Sequence, residues 1–379
     1  MTCYESARSY PVIIMGMRHV APVGVLLAAN ALLGVPAHAD NGPVGGTELG
    51  RRGLVAPSEV KPPPKTAARS YVIADAETGE VLAAKDPHGR YLPASTLKAL
   101  TALTLIPKLD KAMRVRPSSR AVNEEGSAVG LVSRPIYTVD DLFKALLLVS
   151  GNDCAMALAE ANGGLAKTLR DMNTEARRLQ AFDTVAKTPS GLDKPGQSSS
   201  AYDLALIARA GLANDDFQRY TRTKTGRFPA PKGYYEIGNH NKLLWRYRGM
   251  IGVKNGWTSK AQGSFVGAAR RNGHTVIVAI MRHDGYFWDE VAGLLDWGFG
   301  ARGRVTPVGR LVEPLPVAAP RTAAPAAPPT ARPTTPQAPA SDGETRPVGF
   351  YVLGAGLLGG AVWLLYGLRG RFRRETPGG

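Results

Sequence analysis

The sequence predicts an α+β fold in which the first and last segments of the globular region share one antiparallel sheet. Strand-length apolar runs stand at both ends of that region, at residues 70–75 and 81–85 early and at 250–254, 264–270 and 274–281 late. Between them lie helix-length apolar patterns, each with its own start and stop residues. Asn272-Gly273 joins the last two runs, and Asn-Gly between alternating apolar residues is a strong short-range hairpin signal.

The two early strands turn around Gly79. After a loop comes Leu92-Pro93-Ala94-Ser95-Thr96-Leu97-Lys98, whose apolar continuation ends at Pro107. Proline suits a first helical turn and stops a helix from within, so this stretch predicts a helix with Ser95 near its start. Thr138 with Asp141 three residues on predicts a capped helix over 139–149, which ends at Ser150-Gly151-Asn152. Helices follow over 153–161, closed by Gly163-Gly164, over 165–179 and over 202–212, with a polar Gly/Pro-rich segment at 188–193 before the last. A closing helix is predicted over 287–299.

The ends differ in composition. Arg18-His19 precede an apolar stretch over 20–35 that finishes in Ala37-His38-Ala39, so residues 1–39 read as a secretory signal. Residues 40–65, rich in Gly and Pro, predict a flexible leader, and 66–312 the globular domain. Residues 313–347 are an Ala/Pro/Thr-rich linker, which at about 3.1 Å per residue could reach roughly 100 Å. Residues 348–368 are apolar and long enough to span a bilayer. Arg369, Arg371, Arg373 and Arg374 in the tail, 369–379, place the C-terminus in the cytoplasm and the domain outside by the positive-inside rule.

The chain carries a formal net charge of +16 but shows no nucleic-acid motif. An exported basic domain would meet anionic surface polymers instead. Cys3 falls in the signal, which leaves Cys154 without a partner, as a small buried apolar side chain. The six histidines show no paired ligand spacing, so neither a metal nor a cofactor is expected.

Ser95 and Lys98 share a helix face one turn apart. A serine hydroxyl is a weak nucleophile at pH 7, and a desolvated lysine with a lowered pKa can take its proton. The helix start adds a free N–H at Ser95 that could serve as half of an oxyanion hole. Ser58-Glu-Val-Lys61 has the same spacing, but its prolines (Pro57, Pro62, Pro63, Pro64) forbid the helix. A third element, a lysine on a strand followed by glycine, has two candidates. Lys224-Thr225-Gly226 has no apolar strand around it, whereas Lys254-Asn255-Gly256 follows Met250-Ile251-Gly252-Val253, and the latter is preferred.

Taken in order, Ser95-x-x-Lys98, Ser150-Gly-Asn152 and Lys254-Asn-Gly256 resemble the three motifs of the penicillin-binding and serine β-lactamase superfamily. The stretches Asp75-Ala-Glu-Thr-Gly-Glu-Val-Leu-Ala-Ala-Lys85, Leu146-Leu-Leu-Val-Ser-Gly-Asn-Asp153, Ser190-Gly-Leu-Asp193 and Asn239-His-Asn-Lys-Leu-Leu244 narrow the likeness to the low-molecular-mass serine D-alanyl-D-alanine carboxypeptidases.

The resemblance implies a transpeptidase-like fold, an antiparallel sheet flanked by helices with a helical subdomain. It implies that Ser95 attacks the carbonyl between the last two D-alanines of a peptidoglycan stem peptide, with Lys98 as base and the N–H groups of Ser95 and Trp257 holding the oxyanion. Ser150 and Asn152 would relay the proton and position the substrate amide, and Lys254, Asn255 and Gly256 would line the substrate strand. β-Lactams would acylate the same serine. One departure stands out: Asn255 occupies the place of the family's threonine, whose hydroxyl helps bind the substrate carboxylate. A β-lactamase would need a Glu-x-x-Leu-Asn pattern for the deacylating water, and none is present. A module that only binds the cell wall would have no need of all five polar side chains at 95, 98, 150, 152 and 254.

Overall fold

The computed structural model describes residues 42–316. The expected signal at 1–39, the spanning stretch at 348–368 and the basic tail lie outside the described residues, as does nearly all of the linker. Among the described residues no helix is long and apolar enough to cross a membrane.

In chain order the elements are β1 (Leu54–Val55), β2 (Ser70–Asp75), β3 (Glu80–Lys85), α1 (Lys98–Leu105), β4 (Arg114–Val115), α2 (Ser119–Val122), β5 (Tyr137–Thr138), α3 (Val139–Leu148), α4 (Asn152–Ala161), α5 (Leu165–Arg178), α6 (Ala201–Leu212), α7 (Asp215–Arg222), β6 (Thr225–Pro229), β7 (Tyr234–Gly238), α8 (Leu243–Arg246), β8 (Met250–Thr258), β9 (Gln262–Arg271), β10 (His274–His283), α9 (Trp288–Ala301) and β11 (Gly309–Arg310). The main sheet runs β1-β3-β2-β10-β9-β8, with β11 also on β3, and every pairing is antiparallel. The late strand β10 lies directly on the early β2, Val278 opposite Ile73, as the sequence predicts.

The sheet is covered on both faces, which is why every residue of β2 is buried. Its alternation sorts the layers: Val72 and Ala74 face the large helical cluster, which includes Leu100, Leu146 and Ile207. Tyr71 and Ile73 face a smaller cluster closed by Trp288, Val291 and Leu295 of α9. The helices start where their caps say. Thr138 accepts from the Asp141 N–H while Asp141 accepts from the Thr138 N–H, a complete capping box on α3.

Two expectations are corrected. The leader is not flexible over 42–65: Thr47–Gly50 form a 3-10 turn, β1 pairs with β3, and Leu49 and Val55 are buried. Few as its apolar residues are, those two reach the core, and β1 covers part of an edge strand that would otherwise leave unpaired N–H and C=O groups. Lys224-Thr225-Gly226 does adjoin a strand, because β6 forms a hairpin with β7 outside the main sheet. Phe228, Pro229 and Ile237 are its buried residues, with the Phe228 ring on Tyr137, which is too little apolar pattern to read as a strand. The second Ser-x-x-Lys, Ser58 to Lys61, is indeed not helical.

Candidate active site

Ser95 lies in a 3-10 turn, Ala94–Leu97, that runs straight into α1 at Lys98. Neighbours on other elements hold the turn. Ser264 Oγ on β9 donates to the Pro93 carbonyl at 2.7 Å, and Thr101 Oγ1 donates to the Pro189 carbonyl at 2.7 Å. Gly191 sits at φ +84°, and a Cβ there would fall 1.9 Å from the Ala94 carbonyl oxygen. Only glycine allows the 188–193 loop to lie so close to the turn.

That loop completes the lysine's environment. Lys98 is fully buried, and its Nζ lies 2.9 Å from Ser95 Oγ, 2.7 Å from Asn152 Oδ1 and 2.6 Å from the Ser190 carbonyl oxygen. The Asn152 amide is oriented by its Nδ2, which donates to the Glu125 carbonyl, so Oδ1 is the atom that faces Lys98. Burial pushes the Lys98 ammonium well below its usual range, and the nearby Lys254 charge pushes the same way. A neutral amine has two N–H bonds and one lone pair. Asn152 Oδ1 and the Ser190 carbonyl can only accept, so they take the two N–H bonds and leave the lone pair towards Ser95 Oγ. The arrangement can therefore withdraw a proton from the serine.

Ser150 follows α3 in the left-handed region, at φ +66°. It is buried, and its Oγ has no hydrogen-bond partner among the described residues. A buried hydroxyl left unpaired in this way is costly unless a ligand or a proton relay uses it. Next to Asn152, the Asp153 carboxylate accepts from the N–H groups of Val129, Gly130, Leu131 and Cys154, which pins the 129–131 loop to the start of α4. Cys154 is buried, as expected.

The third motif lies on β8, which runs unbroken through Lys254, Asn255, Gly256 and Trp257, beyond the predicted strand end at 254. A Cβ on Gly256 would lie 2.4 Å from the Ser95 nitrogen, so the strand passes directly against the Ser95 backbone. Lys254 is buried and burial pushes it down to about 7, while its Nζ donates to the Asn255 carbonyl at 2.8 Å. Trp257 is 67% exposed. Thr258 Oγ1 donates to Asp193 at 3.0 Å, which ties the end of β8 to the 188–193 loop.

Contacts thus link Ser95 with Lys98, Lys98 with Asn152, and Gly256 with Ser95. Lys224, the rejected candidate, instead has its Nζ over the Trp245 ring at 5.5 Å. The Ser190 carbonyl, the Glu125 carbonyl and the Asp193–Thr258 bond were not foreseen. They are backbone acceptors or polar pairs far apart in sequence, and side-chain pattern carries no sign of them.

A sequence profile of the D-alanyl-D-alanine carboxypeptidases, peptidase family S11, matches residues 57–285. The chain is 41% identical over 252 residues to the D-alanyl-D-alanine carboxypeptidase DacB2 of Mycobacterium tuberculosis, covering 65% of this chain and 87% of that one. It is 32% identical over 221 residues to DacF of Bacillus subtilis, covering 56% of this chain and 57% of that one. Among solved structures, a D-alanyl-D-alanine carboxypeptidase of M. tuberculosis aligns with TM-score 0.65 and 39% identity over 68% of this chain and 99% of that one. The Streptomyces K15 DD-transpeptidase aligns with TM-score 0.60 and 27% identity over 64% of this chain and the whole of that one.

Proposed function

Because the chain belongs to the D-alanyl-D-alanine carboxypeptidases of peptidase family S11, we propose that Ser95 is the nucleophile of its acyl-enzyme chemistry and Lys98 the base that activates it. The chain is a serine-type carboxypeptidase of the penicillin-binding fold. The observation that carries the residue roles is the Lys98 amine, 2.9 Å from Ser95 Oγ with both of its N–H bonds engaged elsewhere.

Ser95 Oγ attacks the carbonyl between the terminal D-alanines of a peptidoglycan stem pentapeptide, and Lys98 takes the proton. The Ser95 and Trp257 N–H groups hold the oxyanion, a reading supported by the close approach of Gly256 to the Ser95 nitrogen. The unpaired Ser150 hydroxyl passes the proton to the leaving amine, and free D-alanine departs. Lys254 draws in the substrate's terminal carboxylate, with the Asn255 side chain offering an amide donor beside it. Water then hydrolyses the ester, and trimmed stems can no longer serve as donors in cross-linking. A β-lactam forms the same ester and leaves slowly.

The test is D-alanine release from a stem pentapeptide, together with mass spectrometry of the protein after treatment with a fluorescent penicillin. An adduct on Ser95 and release of one D-alanine are expected. An adduct on any other residue removes Ser95 from the mechanism.

The pH dependence follows from the two lysines. Lys98 must be neutral to act as base, so kcat/KM rises with pH through its lowered pKa. Lys254 must be charged to attract a carboxylate, so kcat/KM falls as pH rises beyond about 7. A bell-shaped profile is expected. In Lys254→Arg the alkaline limb moves up, since a guanidinium stays charged throughout this range; an alkaline limb that does not move rules out Lys254 as its source.

The sequence supports an exported enzyme tethered through residues 313–347 to a span at 348–368, with the arginine-rich tail in the cytoplasm. Cell fractionation tests this. The full chain is expected in the membrane fraction and a chain stopped at residue 316 outside it; equal distribution of the two excludes the C-terminal span as the anchor.

A further inference from the structure

His88, Asp183 and Asp203 come together where the turn after β3, the loop after α5 and the first turn of α6 meet, and none of them belongs to the Ser95 site. One ligand atom from each lies within 4.8 Å of the other two. Each side chain has its other polar atom engaged outside the cluster; of the atoms that face one another, His88 Nδ1 and Asp183 Oδ2 are bonded to each other, and Asp203 Oδ1 has no partner among the described residues.

Asp203 is 1% exposed; its Oδ2 accepts from Thr184 Oγ1 at 2.7 Å, and its Oδ1 has no hydrogen-bond partner among the described residues. Asp183 Oδ1 accepts from Arg90 Nε at 3.0 Å, and its Oδ2 lies 2.7 Å from His88 Nδ1. His88 Nε2 lies 3.0 Å from the Val44 carbonyl oxygen, which can only accept. Nε2 therefore keeps its proton, and Nδ1, which donates to the Asp183 carboxylate, is the nitrogen that ligates once a cation displaces its proton. An imidazole whose second nitrogen donates to a backbone carbonyl, beside carboxylates that are themselves hydrogen-bonded, is the usual outer arrangement of a metal site. The His88 ring is also held by Tyr202, centroid to centroid at 4.6 Å. A surface cavity of about 520 Å³ borders His88, its wall also formed by Arg51, Arg52, Arg90 and Tyr91.

We propose that His88 Nδ1, Asp183 Oδ2 and Asp203 Oδ1 bind one divalent transition-metal cation of the zinc class. An imidazole with two carboxylates is a nitrogen and oxygen donor set that suits such an ion, whereas calcium and magnesium prefer oxygen alone. The orphaned Asp203 oxygen gains a partner, and the ion takes the place of the proton between His88 and Asp183. The ion would staple the Val44 segment, the 86–91 turn and α6 together, and would take no part in the chemistry at Ser95. Reading paired histidines in the sequence could not reveal such a site, since its ligands stand singly at 88, 183 and 203.

The test uses the full chain in detergent, stripped with a chelator, with Zn²⁺ alone as the probe in calorimetry and thermal unfolding. The wild type is expected to take up one equivalent and to melt at a higher temperature with zinc. Asp203→Asn and His88→Gln are expected to bind zinc more than roughly 100-fold more weakly, beyond the loss typical of an outer partner. Penicillin labelling of Ser95 reports that each variant is folded. Wild-type zinc affinity in a variant that still labels overturns the proposal, as does a wild type that takes up no zinc. Should neither variant label, anomalous diffraction from zinc-soaked wild-type crystals decides: a peak among the three side chains supports the site, and a peak only elsewhere overturns it.

Discussion

Ser95→Ala is expected to abolish the covalent penicillin adduct and to lower kcat for D-alanine release by roughly 10⁴ to 10⁶, the range seen when a covalent nucleophile and its base are disabled. Lys98→Met, which keeps the linear stem but has no amine, is expected to lose nearly as much. The double variant should be no worse than either single one. A nucleophile and base act as a unit: without the amine the hydroxyl keeps its proton, and without the hydroxyl the amine has nothing to deprotonate. The geometry requires this coupling, because the Lys98 amine has Asn152 Oδ1 and the Ser190 carbonyl on its N–H bonds and only Ser95 Oγ for its lone pair. Acylation rates from stopped-flow penicillin binding and D-alanine release across the cycle check it. Additive losses in the double variant would mean that Lys98 acts elsewhere, and Ser150 would then be the next base to test.

Gly256→Ala is the second large effect. A methyl group there would stand 2.4 Å from the Ser95 nitrogen and 3.0 Å from Ser95 Cα, and both neighbours are backbone atoms that cannot swing aside. Either β8 retreats or the Ser95 turn does. A displacement of about 1 Å at reacting groups costs on the order of 10²-fold in rate, so kcat/KM should fall by at least that much. Stability should change far less, since β8 keeps its ladder to β9 from Met250 to Thr258. The urea midpoint and kcat/KM, measured on the same preparation, separate the two effects. An alanine variant with undiminished rate would show that β8 does not sit against the nucleophile during turnover.

Much of the site was legible because its chemistry needs particular residue types at local spacings. Ser95 and Lys98 are one turn apart on a stretch bounded by Pro93 and Pro107, and Ser150 to Asn152 join two helices whose caps are visible in the sequence. The choice of Lys254 over Lys224 followed from the apolar strand before it, and the structure places Gly256 against Ser95 while Lys224 stacks on Trp245. The misses share a cause. Leu49 and Val55 were too few to mark the leader as packed, and the β6–β7 hairpin follows Arg222 and Lys224 and carries Arg227 where a strand usually shows apolar alternation. Both are held by partners that come from distant parts of the chain.

The sequence by itself determined the antiparallel α+β class, most of the longer elements and the candidate reactive side chains, since periodicity, caps and turn dipeptides act over a few residues. Only the tertiary structure decided that the Ser190 carbonyl and Asn152 Oδ1 occupy the Lys98 N–H bonds, that Gly191 brings the 188–193 loop against Ala94, and that His88, Asp183 and Asp203 meet around an unpaired oxygen. Carbonyl acceptors look the same in every residue, and groups separated by roughly a hundred positions meet only when the long-range packing of sheet and helices is complete.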